Sequence, residues 1–122
     1  MSGTKIKSLA IWGLAGLLAL VFVAAGLSKL MGVPQTVLPF EQIGLPALAL
    51  LVGLLEIAGA VGLFVPKLRF WAALGLCATM VGAIGYHLAI DPDKAAQPAA
   101  ILLILCGIFA WIYRPAAQSK AT

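Results

Sequence analysis

An all-α membrane protein, a bundle of four transmembrane helices, is the fold this sequence predicts, and three observations predict it. Hydrophobic residues make up 63% of the 122 residues and charged residues only 10%, far from the composition of soluble globular domains. The apolar residues fall into four runs, each close to the ~20 residues needed to cross the hydrocarbon core of a bilayer. Lysine and arginine collect at one set of run ends, as membrane topology requires. Too few polar side chains remain to cover a surface, so lipid must be the solvent for much of the chain. Residues 1–122 suit a single membrane domain.

The first segment runs from about Leu9 to Met31, broken only by Ser28 and Lys29 near its end. Val23-Ala24-Ala25 loosely fits a signal-cleavage site. The apolar run is longer than the roughly 7–15 residues usual in a signal peptide, so the segment is expected to stay as a helix. Gly32 and Pro34 end it, as strong local breakers do. The second segment runs from about Pro46 to Val65 and stops at Pro66. The third covers about Phe70 to Ile90 and stops at Asp91 and Pro92. The fourth runs from about Gln97 to Tyr113, with Pro98 in its opening turn, where a missing N–H costs little. Between the first two segments, residues 32–45 hold Pro34, Pro39 and Phe40. That stretch is too short to span and too apolar to float free. It is expected to be a loop lying on, or dipping into, the outer interface, placed to cover whatever sits between the helices.

The formal charge is +4, but the basic residues are scattered along the chain, which excludes nucleic acid as a partner. With the N-terminus in the cytoplasm, that side carries Lys5, Lys7, Lys67, Arg69, Arg114 and Lys120. The opposite side carries Lys94, with Lys29 just inside the membrane, beside Glu41, Asp91 and Asp93. This positive-inside bias predicts both termini in the cytoplasm and a multi-pass protein of the bacterial inner membrane. Trp12, Trp71, Trp111 and Tyr113 then fall near the cytoplasmic ends, as an interfacial aromatic belt should. Cys77 and Cys106 lie inside apolar runs without metal-ligand or CxxC spacing, and are expected to be small packing residues.

Lipid gives helices no reward for burying leucine against leucine, so close approach of small residues must hold the bundle together. Glu56, midway between Pro46 and Pro66, shares a helical stripe with Ala49, Gly53, Gly59 and Ala60, while Leu50, Leu54 and Val61 lie opposite. Glu56 is therefore expected to face other helices. Small residues also recur at Ala78, Gly82, Gly85 and Ala89, and at Ala25, Gly26 and Gly32 beside Lys29. These stripes suit packing within one bundle and equally a homo-oligomer.

At about 1.5 Å of rise per residue, Glu56 lies about 15 Å below the outer boundary, Lys29 about 5 Å and His87 about 6 Å. Side chains lean toward their helix N-terminus. Lys29 and His87, on outward-running helices, lean deeper, and Glu56, on an inward-running helix, leans outward. All three converge on one level in the outer half of the membrane. A charge at the centre of a membrane helix costs about 2.5–3.5 kcal/mol on insertion scales. Pairing with Lys29, with His87 nearby, or a wet cavity open to the outer side would relieve it. Each residue also has a plainer reading. Lys29 can snorkel to the interface, His87 can cap its helix or bond to Asp91, and Glu56 can be a neutral acid that fixes helix register.

GLSKLMG at the end of the first helix, LLEIAGAVGLFVP in the second and LGLCATMVGAIGYHL in the third resemble the DoxX-like family of small four-helix membrane proteins. The resemblance covers about residues 10–115, and the order lysine, glutamate, histidine on successive helices strengthens it. It implies that Lys29, Glu56 and His87 occupy the recurring polar positions of that group. Some members of the group are membrane subunits linked to thiosulfate:quinone oxidation or to oxidative-stress complexes, and distant animal relatives assist the assembly of ion-channel receptors. No catalytic role carries over to these residues.

Three functions are weighed. The favoured one is an accessory membrane subunit that binds a small hydrophobic or quinone-like molecule in a redox-associated process. Lys29 or His87 would donate to a carbonyl oxygen and Glu56 would handle the proton. No cofactor is evident, since the sequence has no CxxC, no bis-histidine haem pair and no glycine-rich nucleotide loop, and a quinone is compatible with the polar cluster. With one histidine and no metal-ligand spacing, no metal site is expected. Redox chemistry would need a membrane or peripheral oxidoreductase as partner, or a diffusible quinone, so no independent catalytic activity is expected and the catalytic residues are unknown. The second reading is a small proton-coupled transporter. Small multidrug exporters carry their acid on the first helix, however, and a lysine beside the acid favours its charged form and opposes proton exchange. The third is an assembly or anchoring protein with a purely structural polar cluster.

Overall fold

The computed structural model describes residues 3–90 and 97–116, and within these the chain is all-α. Five helices follow one another: α1 Gly3–Leu30, α2 Pro34–Gln42, α3 Leu48–Gly62, α4 Arg69–Ala89 and α5 Gln97–Ile112. Asp91, Asp93, Lys94 and Lys120, which enter the charge argument, lie outside the described residues.

Two helices, α1 with 28 residues and α4 with 21, are long and apolar enough to cross a membrane. At about 1.5 Å per residue they measure roughly 42 and 31 Å, against a hydrocarbon core of about 30 Å. The apolar helices α3 and α5 are shorter, at 15 and 16 residues. Helical turns lengthen α3 at both ends, through Leu48 N–H to Leu45 O at 3.0 Å and Val65 N–H to Gly62 O at 3.1 Å.

Two boundaries differ from expectation. Helix α1 begins at Gly3 rather than near Leu9, because nothing from Thr4 to Ser8 breaks a helix and lysine is a good helix former. The stretch 32–45 is not a loop but carries α2. Pro34 opens that helix at a position where its missing N–H is harmless. Pro39 sits within it and removes one internal bond.

Glycine closes both α1 and α2 in the same way. After α1, Val33 N–H donates to Ser28 O at 3.0 Å and Gly32 N–H to Lys29 O at 3.2 Å. After α2, Leu45 N–H donates to Phe40 O at 2.8 Å and Gly44 N–H to Glu41 O at 3.0 Å. These are Schellman closures, whose penultimate residue must be left-handed, and Gly32 and Gly44 supply φ of 72° and 76°.

The longer helices close into a ring in which α1 packs on α3, α3 on α4, α4 on α5 and α5 on α1. Helix α2 lies at one end of the ring against α1 and α3. Leu18 and Phe22 of α1, Leu63 just after α3, Leu76 of α4, and Cys106 and Phe109 of α5 fill the centre. Cys77 packs against this core and both thiols are free. Large apolar side chains such as Leu20, Leu88 and Ile104 face outward, a surface suited to lipid rather than water.

Close approach is confined to particular seams. A Cβ on Gly26 would stand 2.6 Å from Gly53 O, and one on Gly53 would stand 2.9 Å from Gly26 O, so α1 and α3 touch backbone to backbone. A Cβ on Gly59 would meet Leu76 at 2.8 Å, and one on Gly62 would meet Ala72 at the same distance. The small residues of α4 behave otherwise, because a Cβ on Gly82 or Gly85 would meet nothing within 4 Å. They leave space instead of drawing a neighbour in.

At the end of the ring opposite α2, Arg69 joins three parts of the chain. Its Nε donates to Leu63 O at 3.1 Å, answering a carbonyl left free at the end of α3. Its guanidinium lies 5.3 Å from the Trp12 ring and 5.0 Å from the Tyr113 ring. Trp12 in turn stacks on Phe64 at 5.9 Å. The beginning of α1, the α3–α4 turn and the end of α5 therefore meet at one end of the molecule.

Candidate functional site

Glu56 occupies the buried stripe of α3 formed by Ala49, Gly53, Glu56 and Ala60. The bulky residues Leu50, Leu54 and Val61 on the other side are exposed. Lys29 approaches from the last turn of α1. A Cβ on Gly53 would lie 3.1 Å from Lys29 Cβ, so the absence of a side chain at Gly53 gives the lysine stem its passage. One turn further along α3, Lys29 Nζ stands 2.6 Å from Glu56 Oε1. Glu56 is 1% exposed and Lys29 15%, so the lysine is the more accessible member of the pair, and both line the open space beyond.

That space is a cavity of about 670 Å³ bounded by α2, α4 and the facing parts of α1 and α3. Its volume falls in the range of small-molecule sites, about 300–1,000 Å³. Phe40, Ile43, Val52 and Met80 supply apolar wall, and Gly82 and Gly85 supply room. Among the described residues, Lys29 and Glu56 are its only fully charged lining groups, and His87 lines it from α4. His87 Nδ1 is buried without a hydrogen-bond partner among the described residues, and the ring meets Tyr86 edge-on at 5.5 Å. The structure thus joins Lys29 and Glu56 directly and sets His87 on the same cavity wall, outside the ion pair. Asp91, a candidate partner for His87, lies outside the described residues.

Several lining groups escape a reading of the sequence. The Tyr86 hydroxyl donates to Gln42 Oε1, linking α4 to α2 across the cavity. Gln35, Thr36 and Thr79 add polar groups. Thr36 Oγ1 donates to Val33 O at 2.8 Å and Thr79 Oγ1 to Gly75 O at 3.0 Å, so each hydroxyl keeps only acceptor capacity. The apolar character of residues 32–45 hints that they cover something, but no spacing rule pairs Gln42 with Tyr86. Among the described residues, no three histidine, cysteine, aspartate or glutamate side chains gather to hold a metal ion.

Apolar helices with lipid-suited faces, joined around a buried ion pair beside an apolar cavity, define a helical membrane protein with a candidate small-molecule site. A model of the DoxX-like family matches residues 13–109, and the chain belongs to that family. The match runs from Gly13 in α1 to Phe109 in α5 and so includes every residue that lines the cavity. No curated protein and no solved structure matches the chain significantly.

Proposed function

We propose that this protein is an accessory membrane subunit whose cavity binds a small hydrophobic, quinone-like molecule for a redox-associated process. The observation that carries the proposal is an apolar cavity of about 670 Å³ with an ion pair at its inner wall and, beside it, an imidazole nitrogen with no hydrogen-bond partner among the described residues. Apolar walls with a few convergent polar groups are the usual make-up of a ligand site. Lys29 and His87 are the groups available to a carbonyl oxygen, and Glu56 holds Lys29 in place. Electrons would come from an oxidoreductase partner or from the diffusible molecule itself. The lipid bilayer is the medium, and a second copy of the chain is a further partner to test.

In this reading the four longer helices all cross the cytoplasmic membrane. The added turns of α3 support its crossing. The meeting of Trp12, the α3–α4 turn and Tyr113 at one end supports both termini on the same side. The basic residues Lys5, Lys7, Lys67 and Arg114 make that side the cytoplasm.

The test is thermal unfolding of purified protein in a mild nonionic detergent, with and without 2,3-dimethyl-1,4-naphthoquinone. A ligand that binds only the folded state raises the melting temperature in proportion to RT ln(1 + [L]/Kd). The wild type should gain several degrees and Glu56→Gln much less. The near-complete burial of Glu56 against Lys29 favours one other reading, a structural cluster in an assembly protein. That reading takes first place if Glu56→Gln melts far lower and the naphthoquinone shifts neither protein.

A further inference from the structure

We infer that Glu56 sets the charge selectivity of the cavity: by cancelling Lys29 it makes the site one for uncharged amphiphiles with a hydrogen-bond-accepting oxygen, and it excludes carboxylates. The inference rests on the proposed ligand-binding role and names the chemistry that role would admit. Three observations carry it.

The first is the charge inventory. Among the described residues that line the cavity, Lys29 and Glu56 carry the only formal charges, His87 is the one imidazole, and Tyr86 is engaged with Gln42. A cation alone beneath apolar walls would capture an anionic head group. A cation with a carboxylate at 2.6 Å presents a dipole instead.

The second is the order of burial. Glu56, at 1% exposure, is the less accessible member of the pair and Lys29, at 15%, the more accessible. An arriving anion is repelled by the Glu56 carboxylate, 2.6 Å from the ammonium, and escapes that repulsion only by drawing Lys29 away from Glu56. That would leave a carboxylate buried without its partner, the costly outcome for any buried pair. An uncharged carbonyl oxygen makes no such demand. It accepts one of the three N–H bonds of the ammonium while the ion pair stays intact.

The third is the fixed origin of the lysine. The Schellman closure at Gly32 ties down the Lys29 carbonyl, and the Lys29 stem passes through the gap at Gly53. Lys29 is thus held against α3 and is poorly placed to swing toward a rival anion.

The experiment compares two probes that share one ring system and differ in charge, methyl 2-naphthoate and 2-naphthoate. Binding is measured by equilibrium dialysis in nonionic detergent at neutral pH, with wild type, Glu56→Gln and the Lys29→Met/Glu56→Gln double variant. The wild type should bind the ester at least about tenfold more tightly than the carboxylate, a factor equal to about 1.4 kcal/mol. Glu56→Gln should reverse that order, and the double variant should return to preferring the ester. The inference is overturned if the wild type takes the carboxylate as tightly as the ester, or if Glu56→Gln keeps the wild-type order. The wild-type comparison decides even if Glu56→Gln fails to fold. If the wild type binds 2,3-dimethyl-1,4-naphthoquinone yet does not discriminate between the naphthoates, the selectivity is wrong and the ligand site stands. If it binds none of the three, both fall.

Discussion

The two ends of the helix ring use small residues and a half-buried cation for opposite purposes. At the Arg69 end, Gly59 and Gly62 bring α3 against α4, and the cation is wedged between Trp12 and Tyr113 with its Nε on a backbone carbonyl. These contacts tie the helices together. At the α2 end, Gly53 lets Lys29 reach Glu56, but Gly82 and Gly85 face open volume and the wall opposite is a short helix interrupted by Pro39. A small residue therefore has no fixed meaning in this protein. It closes a seam where a neighbouring helix is held near, and it makes a cavity where the neighbour is held away.

Removing one half of the ion pair should break the contrast most severely. Lys29→Met leaves Glu56 buried and alone, which should cost about 3–5 kcal/mol of stability. The double variant Lys29→Met/Glu56→Gln should recover most of the loss, because neither charge then needs a partner. Denaturant unfolding in detergent micelles measures both. A single variant no less stable than the double one would mean that the pair is not the joint between α1 and α3.

The glycine seam comes next. Gly26→Ala places a methyl group 2.6 Å from Gly53 O, contacts that only backbone movement can relieve, at a cost of about 1–3 kcal/mol. The same unfolding measurement checks it.

At the Arg69 end, Arg69→Gln removes two cation–aromatic contacts and a bond to Leu63 O. Together these should be worth about 1–2 kcal/mol. Binding of the naphthoquinone at the other end should not change, and dialysis alongside the unfolding measurement would show this.

The smallest effect on stability is expected at Gly82. Gly82→Ala meets no atom within 4 Å and should leave stability unchanged or raise it by up to about 1 kcal/mol through helix propensity. Lengthening the side chain to Gly82→Leu should fill the cavity and weaken naphthoquinone binding while the protein stays folded. Loss of fold in Gly82→Leu would show that the open volume is needed for packing.

Most of the helical architecture was legible because lipid imposes a simple rule: long apolar runs broken by Gly and Pro must be helices. The inward face of α3 was legible too, since the small and bulky residues around Glu56 lie on opposite sides of one helix. Depth and lean were enough to pair Lys29 with Glu56, because both follow from rise per residue and the direction of the chain. Residues 32–45 carry a helix where the sequence predicts a loop. Pro34 and Pro39 look like breakers in sequence, but Pro34 starts the helix and Gly44 ends it with a left-handed turn. The use of Gly82 and Gly85 was not legible, because spacing shows which residues are small but not whether a neighbour approaches them. The Gln42–Tyr86 link and the seating of Arg69 between Trp12 and Tyr113 depend on tertiary distances that no local pattern encodes.

The measurement that tests the central claim most directly is photo-labelling. An uncharged diazirine-bearing aryl ketone would be applied to the protein in lipid nanodiscs and the labelled residues mapped by mass spectrometry. Labelling should concentrate on the cavity wall, at Phe40 and Ile43 of the α2 segment and Met80 of α4, and excess 2,3-dimethyl-1,4-naphthoquinone should suppress it. Labelling spread over outward-facing residues such as Leu20, Leu88 and Ile104, and untouched by the competitor, would contradict the assignment of this cavity as a ligand site.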